Sequence, residues 1–124
     1  MPSVDLPAEL ASVGRARAFV AMHAVGRVAD IDSAVLMVSE LVTNVVLHTS
    51  SAIGLRVVFG PPFRVEVHDG HAATDAFRAL IAEPPRLVPS SSIGGRGIGL
   101  VHALATRIGL DDEGSGGKVV WFEL

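Results

Sequence analysis

The sequence predicts an α+β two-layer sandwich, a mainly antiparallel sheet with helices on one face. Three observations carry this expectation. Residues 8–48 have helical periodicity, residues 53–69 alternate with period two, and a glycine-rich run opens an apolar helix ahead of a β-rich end, residues 118–124. With 124 residues the chain fits one domain around one core, so residues 1–124 are read as a single domain.

Residues 8–25 read as the first helix, with Ala16, Val20 and Met22 among its apolar positions, and Gly26 ends it. Asp30 or Asp32 caps the second, which runs to about His48. Ile31, Val35, Val38, Val42 and Val45 recur at three- and four-residue steps as a core stripe. Leu36, Leu41, Val46 and Leu47 lie off that stripe, so this helix is expected to sit deep. Ile53, Leu55, Val57 and Phe59 alternate along a strand, Gly60-Pro61-Pro62 turns, and Phe63, Val65 and Val67 alternate along the next. Residues 70–94 lack steady periodicity and hold Pro84, Pro85 and Pro89, which suggests a functional lid or a disordered loop. Residues 98–105 read as a helix, 107–110 as a strand, 111–117 as a polar turn and 118–124 as the closing strand.

Composition excludes several classes. Hydrophobic residues make up 49% and charged residues 19%, a well-filled core rather than a disordered chain. The net charge is -3 and no Lys/Arg cluster occurs, which argues against nucleic acid as a direct partner. Without cysteine there is no disulfide and no thiolate metal site, which agrees with a cytoplasmic location. Residues 1–7 do not resemble a signal peptide, and the absence of an uninterrupted apolar run of about 18 residues argues against a membrane span.

The most informative stretch is Gly94-Gly95-Arg96-Gly97-Ile98-Gly99-Leu100. Glycines at that density let a backbone pass close to a bulky ligand, and a turn feeding a helix N-terminus offers free N–H groups to a phosphate. The same run is equally a loop closing a tight helix–sheet contact. Glu40, Asn44 and His48 are four apart and share one stripe of the second helix. They read either as a general base with a Mg²⁺ ligand or as a solvated helix face. Asp69 continues the parity of Phe63, Val65 and Val67, which points it inward at a strand end. There it either accepts from a ligand amino group or opens an Asp-Gly turn. His48, His68 and His71 are supported as a metal site by sequence proximity alone. Trp121 is expected in the core or an interface.

The order Glu40-x-x-x-Asn44, Asp69-Gly70, Gly95-x-Gly97-x-Gly99 resembles the histidine kinase-like ATPase (Bergerat) domain of gyrase, Hsp90, histidine kinases and MutL. Ser39-Glu40-Leu41-Val42-Thr43-Asn44, Gly94-Gly95-Arg96-Gly97 and Val120-Trp121-Phe122-Glu123-Leu124 are similar to its anti-sigma factor serine/threonine kinase branch. The resemblance implies Glu40 as general base, Asn44 as Mg²⁺ ligand and Asp69 as reader of the adenine amine. It also implies Gly95, Gly97 and Gly99 beside the phosphates, residues 71–94 as an ATP lid, and Gly70, Arg96 and Leu100 as further ATP contacts. The implied partners are a sigma factor, an anti-sigma-factor antagonist phosphorylated on Ser or Thr, and a second copy of the chain. Two departures stand out. His71 occupies a position where the family commonly has Gly, and Val119 is the expected occupant where the last strand often carries a Thr near the nucleotide. They leave an alternative function, a non-catalytic or weakly nucleotide-binding module that holds a partner protein.

Overall fold

In a computed structural model of the chain, residues 1–83, 93–114 and 116–124 are described. The N-terminus enters as a strand, β1 (Ser3–Leu6), which the periodicity did not reveal because it is only four residues long. Two helices follow, α1 (Ala11–Ala24) and α2 (Ile31–His48), and then the expected hairpin, β2 (Ile53–Val58) and β3 (Arg64–Asp69). The chain continues through α3 (Asp75–Ala82) and α4 (Ile93–Leu104) to β4 (Arg107–Asp112) and β5 (Lys118–Glu123). The sheet order is β1-β2-β3-β5-β4, and every neighbouring pair is antiparallel. This is the predicted α+β architecture.

Alternation decides the two faces of the sheet. Leu55, Val57, Phe63, Val65, Val67, Val120 and Phe122 are buried on the face that meets the helices. Removing such area from water contributes about 25 cal/mol per Å². Arg64, Glu66 and His68 take the other parity on β3, opposite Glu123, Trp121 and Val119 of β5. Trp121 therefore lies on the outer face, where the Arg64 guanidinium stacks 3.9 Å from its ring and its Nε1–H donates to Asp111 Oδ2 at 3.2 Å.

In α1 the buried positions are Ser12, Ala16, Val20 and Ala24. Met22 is exposed, contrary to its apolar reading. Asp30 is the cap of α2: its Oδ1 accepts from Ser33 N at 3.0 Å and its Oδ2 from Ser33 Oγ at 2.6 Å. By length and apolarity α2 could cross a membrane. Here it packs against α1, α4 and β3 and buries Met37, Val38, Leu41, Val42 and Val45. It is less deep than its composition suggests, because Leu36 and Leu47 remain 44% and 55% exposed. A helix covered on one side of a two-layer fold cannot bury its whole circumference.

Three boundaries differ from the sequence expectation. Residues 75–82, read as aperiodic, form α3. Eight residues are too few to display a period, yet Thr74 caps the helix by accepting from Phe77 N at 3.1 Å. Arg78 to Asp112 and His102 Nε2–H to the Leu80 carbonyl, at 2.8 Å, tie it to β4 and α4. The expected lid of residues 71–94 thus contains an anchored helix, and its remainder at 84–92 lies outside the described residues. The glycine run is also corrected: residues 94–97 already belong to α4 rather than to a turn ahead of the helix expected from residue 98. Finally, Asp111 and Asp112 extend β4 rather than opening the polar turn.

Candidate functional site

A cavity of about 340 Å³ opens between α2, the end of β3, residues 71–74, α3 and the start of β5. That is within the size of small-molecule sites. Asn44 and His48 of α2, Phe77 and Leu80 of α3, Asp69 of β3 and Lys118 of β5 are among the residues that line it.

Asp69 is positioned by the sheet. The inward parity of Phe63, Val65 and Val67 continues to it, and its residue exposure is only 6%. The strand ends there, and the next residues turn back on the carboxylate: Asp69 Oδ1 accepts from His71 N at 2.8 Å. Gly70, exposed, donates its N–H to Ser51 Oγ at 3.1 Å. Asp69 is directly opposite Lys118 in the ladder. The Lys118 ammonium, itself buried, donates to Asp69 Oδ1 at 3.0 Å and to the His71 carbonyl at 3.3 Å. It also sits 2.9 Å from Oδ2, but out of hydrogen-bond alignment. Oδ2 is therefore a buried acceptor with no hydrogen-bond donor among the described residues. The ammonium's charge offsets the burial of this oxygen, which keeps a lone pair for a further donor.

Lys118 is the site residue that sequence reasoning missed. The expectation placed Val119 near the ligand, and the register overturns it. Val119 pairs with His68 and shares its outer face, while Lys118 shares the inner face with Val120 and Phe122. The signal was present: the inward parity of Val120 and Phe122 extends back to Lys118.

The α2 stripe is held close to α4. A Cβ placed on Gly97 would lie 3.0 Å from Glu40 Oε2, 3.5 Å from Glu40 Cβ and 3.6 Å from Asn44 Nδ2. Only glycine lets the α4 backbone come this near the Glu40 carboxylate without displacing it, while the Asn44 amide lies at ordinary contact distance. Asn44 thus faces both the cavity and α4, with Glu40 one helical turn before it. Gly97 is buried and Gly99 and Leu100 half-buried on α4, while Gly95 belongs to its first turn by backbone alone. The Arg96 side chain lies outside the described residues. No group of three His, Cys, Asp or Glu side chains among the described residues is arranged to hold a metal, so the histidine site is not formed. His68 instead bridges Glu66 at 3.2 Å and Glu113 at 2.7 Å.

Sheet, helices and cavity together define an α+β domain with a small-molecule-sized cavity between helix and sheet. Residues 6–124 match the family model of the histidine kinase-like ATPase domain, and the chain belongs to that family. The family is an ATPase one, so nucleotide binding comes with it. Among solved structures, the RsbU and RsbW domains of Rv1364c from Mycobacterium tuberculosis are similar at TM-score 0.56 and 18% identity. The alignment covers 99% of this chain and 32% of that one, so this chain spans about a third of its length. No curated protein matches.

Proposed function

We propose that the chain binds Mg-ATP in this cavity and transfers the γ-phosphoryl group to a Ser or Thr hydroxyl of a partner protein, acting as an anti-sigma factor. The observation that carries this reading is the shared placement of Asn44 and the buried Asp69 on one cavity, with Glu40 a turn away against Gly97. Asp69 Oδ2 would take the adenine amine, and α4 would run beside the phosphates. One amide oxygen, from Asn44, suits Mg²⁺, which commonly takes few protein ligands and fills the rest of its shell with water and phosphate oxygens. When bound, the ion would offset phosphate charge. Glu40 would accept the proton of the attacking hydroxyl as its oxygen bonds to the γ-phosphorus and ADP departs. The sequence resemblance to the anti-sigma factor kinase branch, with the fold likeness to a chain with an RsbW domain beside it, supports a sigma factor and its antagonist as partners. The homodimer and the cytoplasmic location rest on the sequence reading alone.

A second reading, a partner-binding module without transfer, is the one the Lys118–Asp69 contact would favour were the ammonium to fill the place of the adenine amine. The test is phosphate incorporation into the antagonist. Glu40→Ala should keep ATP binding and lower transfer roughly 10²–10⁴-fold. Wild-type protein that binds its partner but transfers no phosphate would reject the kinase and leave the module.

A further inference from the structure

We propose that Lys118 is a base-reading residue, paired with Asp69 as the donor half of a two-point contact to adenine. The inference rests on the nucleotide reading above and deepens it. Asp69, when ionised, only accepts, and a lysine ammonium only donates through three N–H bonds. Among the described residues, one Lys118 donor goes to Asp69 Oδ1 at 3.0 Å and one to the His71 carbonyl at 3.3 Å. The third has no hydrogen-bond acceptor there: Oδ2 at 2.9 Å is out of alignment, and on the cavity side the ammonium faces only the Phe77 ring at 5.4 Å. A buried acceptor, Asp69 Oδ2, and an unspent donor, Lys118 Nζ, therefore stand side by side at the wall of one cavity.

Each half has its complement on the Watson–Crick edge of adenine. The exocyclic amine donates and the neighbouring ring nitrogen N1 accepts. The amine would go to Asp69 Oδ2 and N1 would accept from Lys118. Guanine in the same seat would set its carbonyl against the carboxylate and its N1–H against the ammonium, a mismatch at both points. The ladder holds the pair, since Asp69 and Lys118 are directly opposite on adjacent strands. The Asp69 Oδ1 contacts to Lys118 and His71 N fix which oxygen is left for the ligand.

The test compares ATP with 1-deaza-ATP, which lacks only the N1 acceptor, by titration calorimetry on the wild-type chain and on Lys118→Met. The wild type should bind 1-deaza-ATP on the order of tenfold or more weakly, the scale of one hydrogen bond to a charged group. Lys118→Met should bind the two alike, at the weaker level. Because that variant leaves Asp69 without its cation, Asp69→Asn/Lys118→Met serves as a neutral pair and should also fail to discriminate. Equal wild-type affinity for both nucleotides would overturn the role of Lys118 while ATP binding stood. Tighter ATP binding by Lys118→Met would overturn it too, showing that the ammonium occupies the amine's place. If the wild type bound neither nucleotide, the nucleotide reading itself would fail.

Discussion

Gly97→Ala separates stability from chemistry in opposite directions. In a helix interior, alanine is favoured over glycine by about 0.8–1.0 kcal/mol. Against this stands the added Cβ, 3.0 Å from Glu40 Oε2 and 3.5 Å from Glu40 Cβ. The first atom ends a flexible side chain and can give way by a few tenths of an ångström through rotation. The second distance is ordinary van der Waals contact. Net stability should therefore rise by roughly 0.5 kcal/mol or a little more. The cost falls on Glu40, whose carboxylate must turn away from Gly97. Misplacing a reacting group by about 1 Å can cost 10²-fold, so a shift of a few tenths should lower phosphoryl transfer several-fold. Urea denaturation with an unchanged m value reports the first effect, and phosphate incorporation into the antagonist reports the second. A stabilised variant with undiminished transfer would show that Glu40 takes no part in the reaction. A variant destabilised by more than about 1 kcal/mol would show that Glu40 is too firmly packed to move.

Three further outcomes follow from other parts of the molecule. Asp69→Ala leaves the buried Lys118 ammonium without its partner, which should cost about 3–5 kcal/mol. Adding Lys118→Met should recover most of that loss in chemical denaturation, whereas strictly additive losses would deny the coupling. At Gly109 a Cβ would collide with the Trp121 ring. Gly109→Ala should lower stability by about 1–3 kcal/mol and shift the emission of this single tryptophan, and unchanged fluorescence with unchanged stability would contradict the packing. The Asp30 carboxyl is held below its ordinary value of 3.8, first by the Ser33 hydroxyl and then by the Ser33 amide. Its folded value is the depressed one, so its contribution is present above 3.8 and is lost as pH falls through the folded value. NMR titration of that carboxyl should place its midpoint below 3.8, and a midpoint at or above it would remove the cap.

Local rules made much of the fold readable in advance. Strict alternation through Leu55, Val57, Val65 and Val67 predicted the hairpin and its buried face, because a half-buried strand repeats every two residues. The same parity carried Asp69 inward, where it is found. In α2 the stripe located the core side through Val38, Val42 and Val45, although Ile31 and Val35 are half-buried and the off-stripe Leu41 is buried, and the four-residue spacing aligned Glu40 with Asn44. The sequence left the cap of α2 between Asp30 and Asp32, and the bond from Ser33 N selects Asp30. The family was legible in the order of Glu40, Asn44, Asp69 and the glycines.

What only the tertiary structure decided depends on partners distant in sequence. Propensity made Gly94 to Gly97 a turn, but these residues are helical in α4, since Gly97 allows a close approach to Glu40 that no local signal contains. The short β1 and α3 carry too few residues for a period, and they exist because β2 offers β1 an edge to pair with and because α4 and β4 anchor α3. Parity along β5 turns Lys118 inward but does not name what it meets there. Only the β3–β5 register, joining residues 49 apart, sets it on Asp69 and makes a buried ion pair part of the cavity. Sequence patterns report which face a residue takes within its own element, whereas the neighbour it meets there is set by how the elements are assembled.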